Sequence, residues 1–247
     1  MINYINHYTM KQKSAFRGPS LLLLAIVHVL LFAANLAVAA VLRHGAPYVN
    51  PFAPAEAVRG FFLQNPSATH IGSFFLFGSA VPFGLFVVTT VSWLRFLKVR
   101  AAGVNITLFG GLTATFALML SGLSGWMVSL PDIAGSAPLA KAIYFFSFLS
   151  GGVAYAVGFG LLAAGVSVTT YFTRHLPRWL VAVGMIVALT GEFASLSLVT
   201  FPANFLIPIT RYLGFIWMLL VAVKLTRNWT PASPLGSELK LDAWRNA

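Results

Sequence analysis

Apolar residues fall into six long stretches, at 19–42, 71–94, 104–130, 139–172, 179–201 and 205–225, separated by short polar segments. Each approaches or exceeds the roughly 20 residues a helix needs to cross about 30 Å of hydrocarbon. The pattern therefore predicts an all-α, polytopic membrane bundle of six transmembrane helices spanning 19–227. Tails at 1–18 and 228–247 flank it, and a loop at 44–70 joins spans one and two. Within that loop Pro54-Ala55-Glu56-Ala57-Val58-Arg59, followed by Phe61-Phe62-Leu63, predicts a short helix with proline in its first turn. Its aromatic face is expected to lie on the membrane surface or to cap the bundle. A second short surface helix is expected at 237–244.

Composition agrees with a membrane setting. Of 247 residues 58% are hydrophobic and 9% charged, too few charges to solvate a soluble domain. The net charge of +11 is a matter of placement. Lys11, Lys13, Arg17, Arg95, Lys98, Arg100, Arg174, Arg178, Lys224, Arg227, Lys240 and Arg245 fall on one side of the six spans. Only Arg43, Arg59, Lys141 and Arg211 fall on the other. Basic residues mark the cytoplasmic side, so both termini are expected there, facing anionic lipid. Nothing in this arrangement points to nucleic acid. Residues 37–39 (Ala-Val-Ala) imitate a signal-peptidase site, but the apolar run continues to Leu42, so a retained anchor is expected. On the cytoplasmic side the Asn228-Trp229-Thr230 sequon is silent. Trp93, Trp126 and Trp179 stand at span ends, as interfacial anchors do.

Span four carries Gly152, Ala156, Gly160 and Ala164 at four-residue spacing, a stripe on which helix backbones approach in lipid. At over thirty residues the run is too long for one straight crossing, and a tilt, a bend near Gly151-Gly152 or a cytoplasmic extension is expected. Leu112-Thr113-Ala114-Thr115-Phe116-Ala117 in span three is echoed by Leu189-Thr190-Gly191-Glu192-Phe193-Ala194 in span five, and Phe74-Phe75-Leu76-Phe77 by Phe145-Phe146-Ser147-Phe148. Spans two–three and four–five thus read as parallel repeats, with Thr115 in the place of Glu192.

Glu192 is the one carboxylate inside any of the six stretches. A charge at that depth is costly and persists where something holds or uses it. Counting helical rise puts Glu192 and Arg211 each about 9 Å below the outer boundary, on consecutive helices, so an ion pair between them is expected. Asn35 and Ser195 are candidates to complete its hydrogen bonds. The pair is read either as a lock between helices or as the polar site of a solute or proton pathway. If it is functional, Glu192→Gln loses activity while folding survives; a lock loses stability instead.

His28, mid-span, is a core histidine, a proton relay or a ligand. Haem there lacks a second histidine, since His7, His44, His70 and His175 lie elsewhere. His70, Lys141 and Arg211 stand near the outer starts of the even-numbered spans and could form a basic ring; snorkelling to the interface is the plainer reading for the first two. With no cysteine, no HExxH, no Gly-rich phosphate loop and no Ser–His–Asp set, no cofactor and no metal are expected, and an enzyme has no positive support.

Several segments resemble a group of bacterial polytopic membrane proteins of unassigned activity. They are Phe77-Gly78-Ser79-Ala80-Val81-Pro82-Phe83-Gly84, Leu94-Arg95-Phe96-Leu97, Leu176-Pro177-Arg178-Trp179-Leu180 and Phe205-Leu206-Ile207-Pro208-Ile209-Thr210-Arg211. The resemblance implies a bacterial inner membrane and carries no site. Three functional classes stay open: a protein that binds or moves a small solute or proton, a non-catalytic accessory subunit or homo-oligomer within a larger membrane complex, and a redox subunit using His28.

Overall fold

The structure, a computed structural model, describes residues 18–227. The tails, with the 237–244 helix and the 228–230 sequon, lie outside the described residues. Among those described there is no strand, and six helices are long and apolar enough to cross a membrane. Span one is α1 (Leu21–Leu42), N-capped by Ser20, whose hydroxyl accepts from the Leu23 amide. The short α2 (Ala55–Gln64) precedes α3 (Pro66–Phe96) and α4 (Ala102–Val128). A four-residue α5 (Pro131–Ala134) leads into α6 (Ala137–Leu149), a π-helical turn (Ser150–Ala154) and α7 (Tyr155–Thr173), which together form span four. Next come α8 (Arg178–Phe193), extended by a 3-10 turn (Ala194–Leu198), a second 3-10 turn (Phe201–Phe205) and α9 (Leu206–Arg227).

Consecutive spans are neighbours, and they close into a ring when α9 returns to α1, a far sparser contact than α1 makes with α3. Span four is the most enclosed, 72% buried against 22% for span one. The small-residue stripe explains half of this: Gly160 lies against Ala188 and Gly191 of α8, and Gly191 against Ala156. A second small-residue face does the rest. Gly158 and Gly165 of α7 abut Gly110, Ala114 and Thr107 of α4, backbone against backbone. In lipid such close approach supplies the dispersion that no hydrophobic drive provides. Where a tilt, a bend near Gly151-Gly152 or a cytoplasmic extension was expected, the structure shows a π turn at Ser150–Ala154, in which an extra residue enters the helix.

The interior of the ring is filled with rings. Phe83 stacks on Phe159 at 5.6 Å, Phe159 meets Trp217 at 6.3 Å, and His28 meets Phe83 at 4.9 Å and Phe215 at 5.2 Å. Trp93 belongs to this core, 4% exposed, and is not the interfacial anchor its position suggested; Trp126 and Trp179 are exposed.

The short loop helix caps the bundle. Val58 and Phe62 of α2 are fully buried against Val128, Ala134, Ala140 and Tyr144, and the Tyr144 hydroxyl donates to the Val49 carbonyl at 2.6 Å. At the opposite end α3 and α7 stop alike. Lys98 and Arg174 take positive φ, while the next amide reaches back five residues, Val99 to Leu94 and His175 to Thr170. A left-handed residue closes the last turn, and a basic side chain there meets the negative end of the helix dipole.

A β-carbon at Gly158 would fall 2.6 Å from the Ala114 amide and 2.8 Å from the Gly110 carbonyl. Gly158→Ala is therefore expected to cost about 1–3 kcal/mol, read as a lower melting temperature in detergent. Gly78→Ala, with nothing within 4 Å, is expected to be neutral or slightly stabilising.

Candidate functional site: a cationic cleft at the capped end

Glu192 and Arg211 do not meet. Among the described residues the one ion pair joins Arg59 and Glu56 on α2. The physical reason is helical phase. Gly191 is buried against α7, so Glu192, about 100° further round, is exposed on the outside of the bundle. The α8–α9 contact at this level is made one turn-step away, where the Thr210 hydroxyl donates to that of Thr190 at 3.0 Å. With Thr210 facing α8, Arg211 is rotated toward α1 and the π turn. Ser195 stays with Glu192 on the exposed side and donates to its backbone carbonyl at 2.6 Å.

Arg211 is half-buried and donates through Nη2 to the carbonyl of Gly151 in the π turn. Its guanidinium carbon lies 5.0 Å from the centroid of Phe32 and 4.9 Å from that of Tyr155. Two ring faces and a peptide dipole therefore hold the charge. Its Nε is buried without a partner, and the side chain forms part of the wall of a cleft.

That cleft has two lobes. The outer, about 260 Å³, runs between α1, α3, α4 and α6, from Arg43, Tyr48 and Thr69 inward. The inner, about 200 Å³, continues to Gly151, Ile207 and Arg211. Asn35, Leu36, Leu76, Ser121, Tyr144 and Ser147 line both, so the two lobes adjoin along a shared wall. Ser121 and Ser147 clasp each other across α4 and α6, each hydroxyl donating to the other's backbone carbonyl at 2.9 Å. Ser73 and Gly125 widen the outer lobe by being small. Arg43 at the mouth and Arg211 at the depth are the charged residues lining it, and no carboxylate does.

The remaining candidates separate. Asn35 lines the cleft. Thr115 is buried, bonded to the Gly111 carbonyl at 2.7 Å and packed on Gly84 of α3. The basic ring is not assembled. Exposed His70 accepts from the Trp126 indole at 2.9 Å and bonds Ser129 at 3.1 Å, Lys141 lies half-buried on α6 outside the cleft lining, and Arg211 turns inward. His28 is fully buried, its Nδ1 2.8 Å from the Ser79 carbonyl. No group of three or more His, Cys, Asp or Glu that could hold a metal ion occurs among the described residues.

Sequence reasoning missed Arg43, Ser121, Tyr144 and Tyr155. A tyrosine hydroxyl inside an apolar stretch was the available signal for Tyr155, and the Gly151-Gly152 doublet marked the carbonyl that receives Arg211. No protein-family model, no curated protein and no solved structure matches the chain, so the site rests on its geometry alone.

Because Glu192 is exposed and makes no ion pair, Glu192→Gln is expected to leave stability within about 0.5 kcal/mol. Arg211→Met is expected to lower stability by about 1–3 kcal/mol, since it leaves the Gly151 carbonyl unpaired and removes two ring contacts. Thermal unfolding of the purified protein in one detergent checks both.

Proposed function

We propose that this integral membrane protein binds a small organic or inorganic oxyanion in the cleft, with Arg211 as its anchor, and moves it across the membrane. The observation that carries the reading is a guanidinium at membrane depth with no carboxylate in the cleft around it. A half-buried cation at membrane depth calls for a counter-charge, and the cleft that it lines supplies the room for one. Arg43 at the entrance adds a second positive charge that raises the local anion concentration. Asn35, Tyr144 and the Ser121–Ser147 pair offer neutral hydrogen-bonding groups that orient without repelling.

The reading gives the protein a direction. The twelve-to-four distribution of basic residues supports an orientation with both termini in the cytoplasm, so the α2 cap and the cleft mouth face outward. The segment resemblance supports a bacterial inner membrane. The parallel-repeat reading has support in the matching caps at Lys98 and Arg174. Under Arg211, Tyr155 packs on Phe83 and Phe159; transport requires that aromatic packing to part, the rocking of one set of helices on another that repeat-built carriers use. No enzyme chemistry is assigned.

The test is ligand-linked thermal stabilisation with sulfate, phosphate, acetate and gluconate, in detergent and in nanodiscs with or without phosphatidylglycerol. A bound anion at 100 times its Kd is expected to stabilise by about 2.7 kcal/mol, and Arg211→Met is expected to weaken it at least tenfold. Stabilisation by phosphatidylglycerol alone would assign the site to a lipid headgroup. If no anion stabilises the protein, or Arg211→Met binds like the parent, the reading fails; co-purification with a fixed set of membrane subunits would then favour the accessory role.

A further inference from the structure

His28 is unusual among the buried polar groups because its bonding fixes its tautomer. The Ser79 carbonyl oxygen only accepts, so Nδ1, 2.8 Å away, carries the hydrogen. In the neutral ring Nε2 is then a bare lone pair. That atom is buried without a partner, and so is the hydroxyl of Tyr155, while both residues are 0–1% exposed. The two face the same ring, Phe83, at 4.9 Å from His28 and 5.9 Å from Tyr155. Tyr155 in turn lies under the Arg211 guanidinium. Buried polar atoms are nearly always paired, so two orphans beside one buried cation call for an occupant.

We propose that His28 is a proton site behind the anion site, and that an anion bound to Arg211 brings a proton to Nε2. The inference rests on the reading of Arg211 as an anion anchor and extends it from a binding site to a proton-coupled one. The charges around His28 decide the sign. From α3 it meets the Ser79 carbonyl and Phe83, from α9 Phe215, and across Phe83 Tyr155 from α7. The charge seated on this ring cluster is the Arg211 guanidinium, over Tyr155 and over Phe32, which meets Phe215. With the cleft empty, a proton on His28 would face an unneutralised guanidinium in low dielectric, and the two charges repel. An anion on Arg211 cancels that repulsion. By reciprocity, whatever makes protonation easier when the anion is bound makes anion binding tighter when the proton is bound. A monovalent anion would then enter as a neutral pair with its proton, which removes the charge from the crossing.

The experiment is calorimetric titration of the full chain with sulfate and with gluconate, which do not titrate across roughly pH 5–8 where histidine does. Repeating each titration in buffers of different ionisation enthalpy gives the protons taken up per anion. The parent is expected to take up a fraction approaching one proton, with anion affinity rising up to about tenfold for each unit fall in pH. His28→Gln retains a neutral amide N–H donor and removes the titration; it is expected to bind with no proton uptake and a flat pH profile. His44→Gln, at the exposed end of α1, is expected to keep the parental slope. Anion binding to the parent without proton uptake overturns the proton site and leaves the anchor reading standing, and this outcome does not depend on any variant folding. Uptake that persists in a folded His28→Gln also overturns it. Failure of the parent to bind either anion removes both.

Discussion

Arg211 donates to the carbonyl of Gly151, and much of the capped half of the bundle follows from that contact. In a regular helix each carbonyl already accepts from the amide four residues on and keeps one lone pair for a side chain. The π turn at Ser150–Ala154 releases a carbonyl by inserting a residue. The same insertion resets the phase of span four, so that α6 faces Ser121 and the loop while α7 faces α4 and α8. Without the guanidinium the freed carbonyl is an unpaired group at membrane depth.

His28 repeats the device on another helix. Its acceptor, the Ser79 carbonyl, lies in the turn that Pro82 disturbs by lacking an amide hydrogen. Two nitrogen donors from α1 and α9 are thus satisfied at two irregular turns, one in α3 and one in span four. Neither donor meets an acid. Such anchoring to backbone holds each side chain in place without neutralising Arg211, which distinguishes this arrangement from an ion pair that would extinguish its own field. The cleft retains an unspent positive charge.

Six spans, the short cap helix, the break at Gly151-Gly152 and the central place of span four were legible because each depends on local pattern: length, proline position, glycine doublets and four-residue spacing. The site was legible only in part. The relative level of the two helices came out, since rise per residue is fixed and α8 and α9 touch at Thr190 and Thr210. Facing came out wrong, since each residue turns the side chain by about 100°. Thr190 and Thr210 took the contact, which put one charge outside and the other in the cleft. Arg43, Ser121 and Tyr144 had no sequence signal, because their role depends on α1, α4 and α6 converging from distant parts of the chain.

The placement of the cleft follows from the same small residues that build the core. On the α4–α7–α8 side, glycines face glycines and alanines, and the backbones close to contact. On the α1–α3–α4–α6 side, Gly72, Gly125, Ser73 and Ser147 are also small, but the residues opposite are Asn35, Tyr144 and Ser121, whose polar atoms resist dry packing. Gly125 lies beside the hydroxyls of Ser73 and Ser147, so three helices come together there through oxygen atoms. The opening lies under the α2 cap, with α1 as its outer wall. That helix is the least enclosed span and closes the ring against α9 through the sparsest contact, which makes α1 the element best placed to shift when the cleft fills.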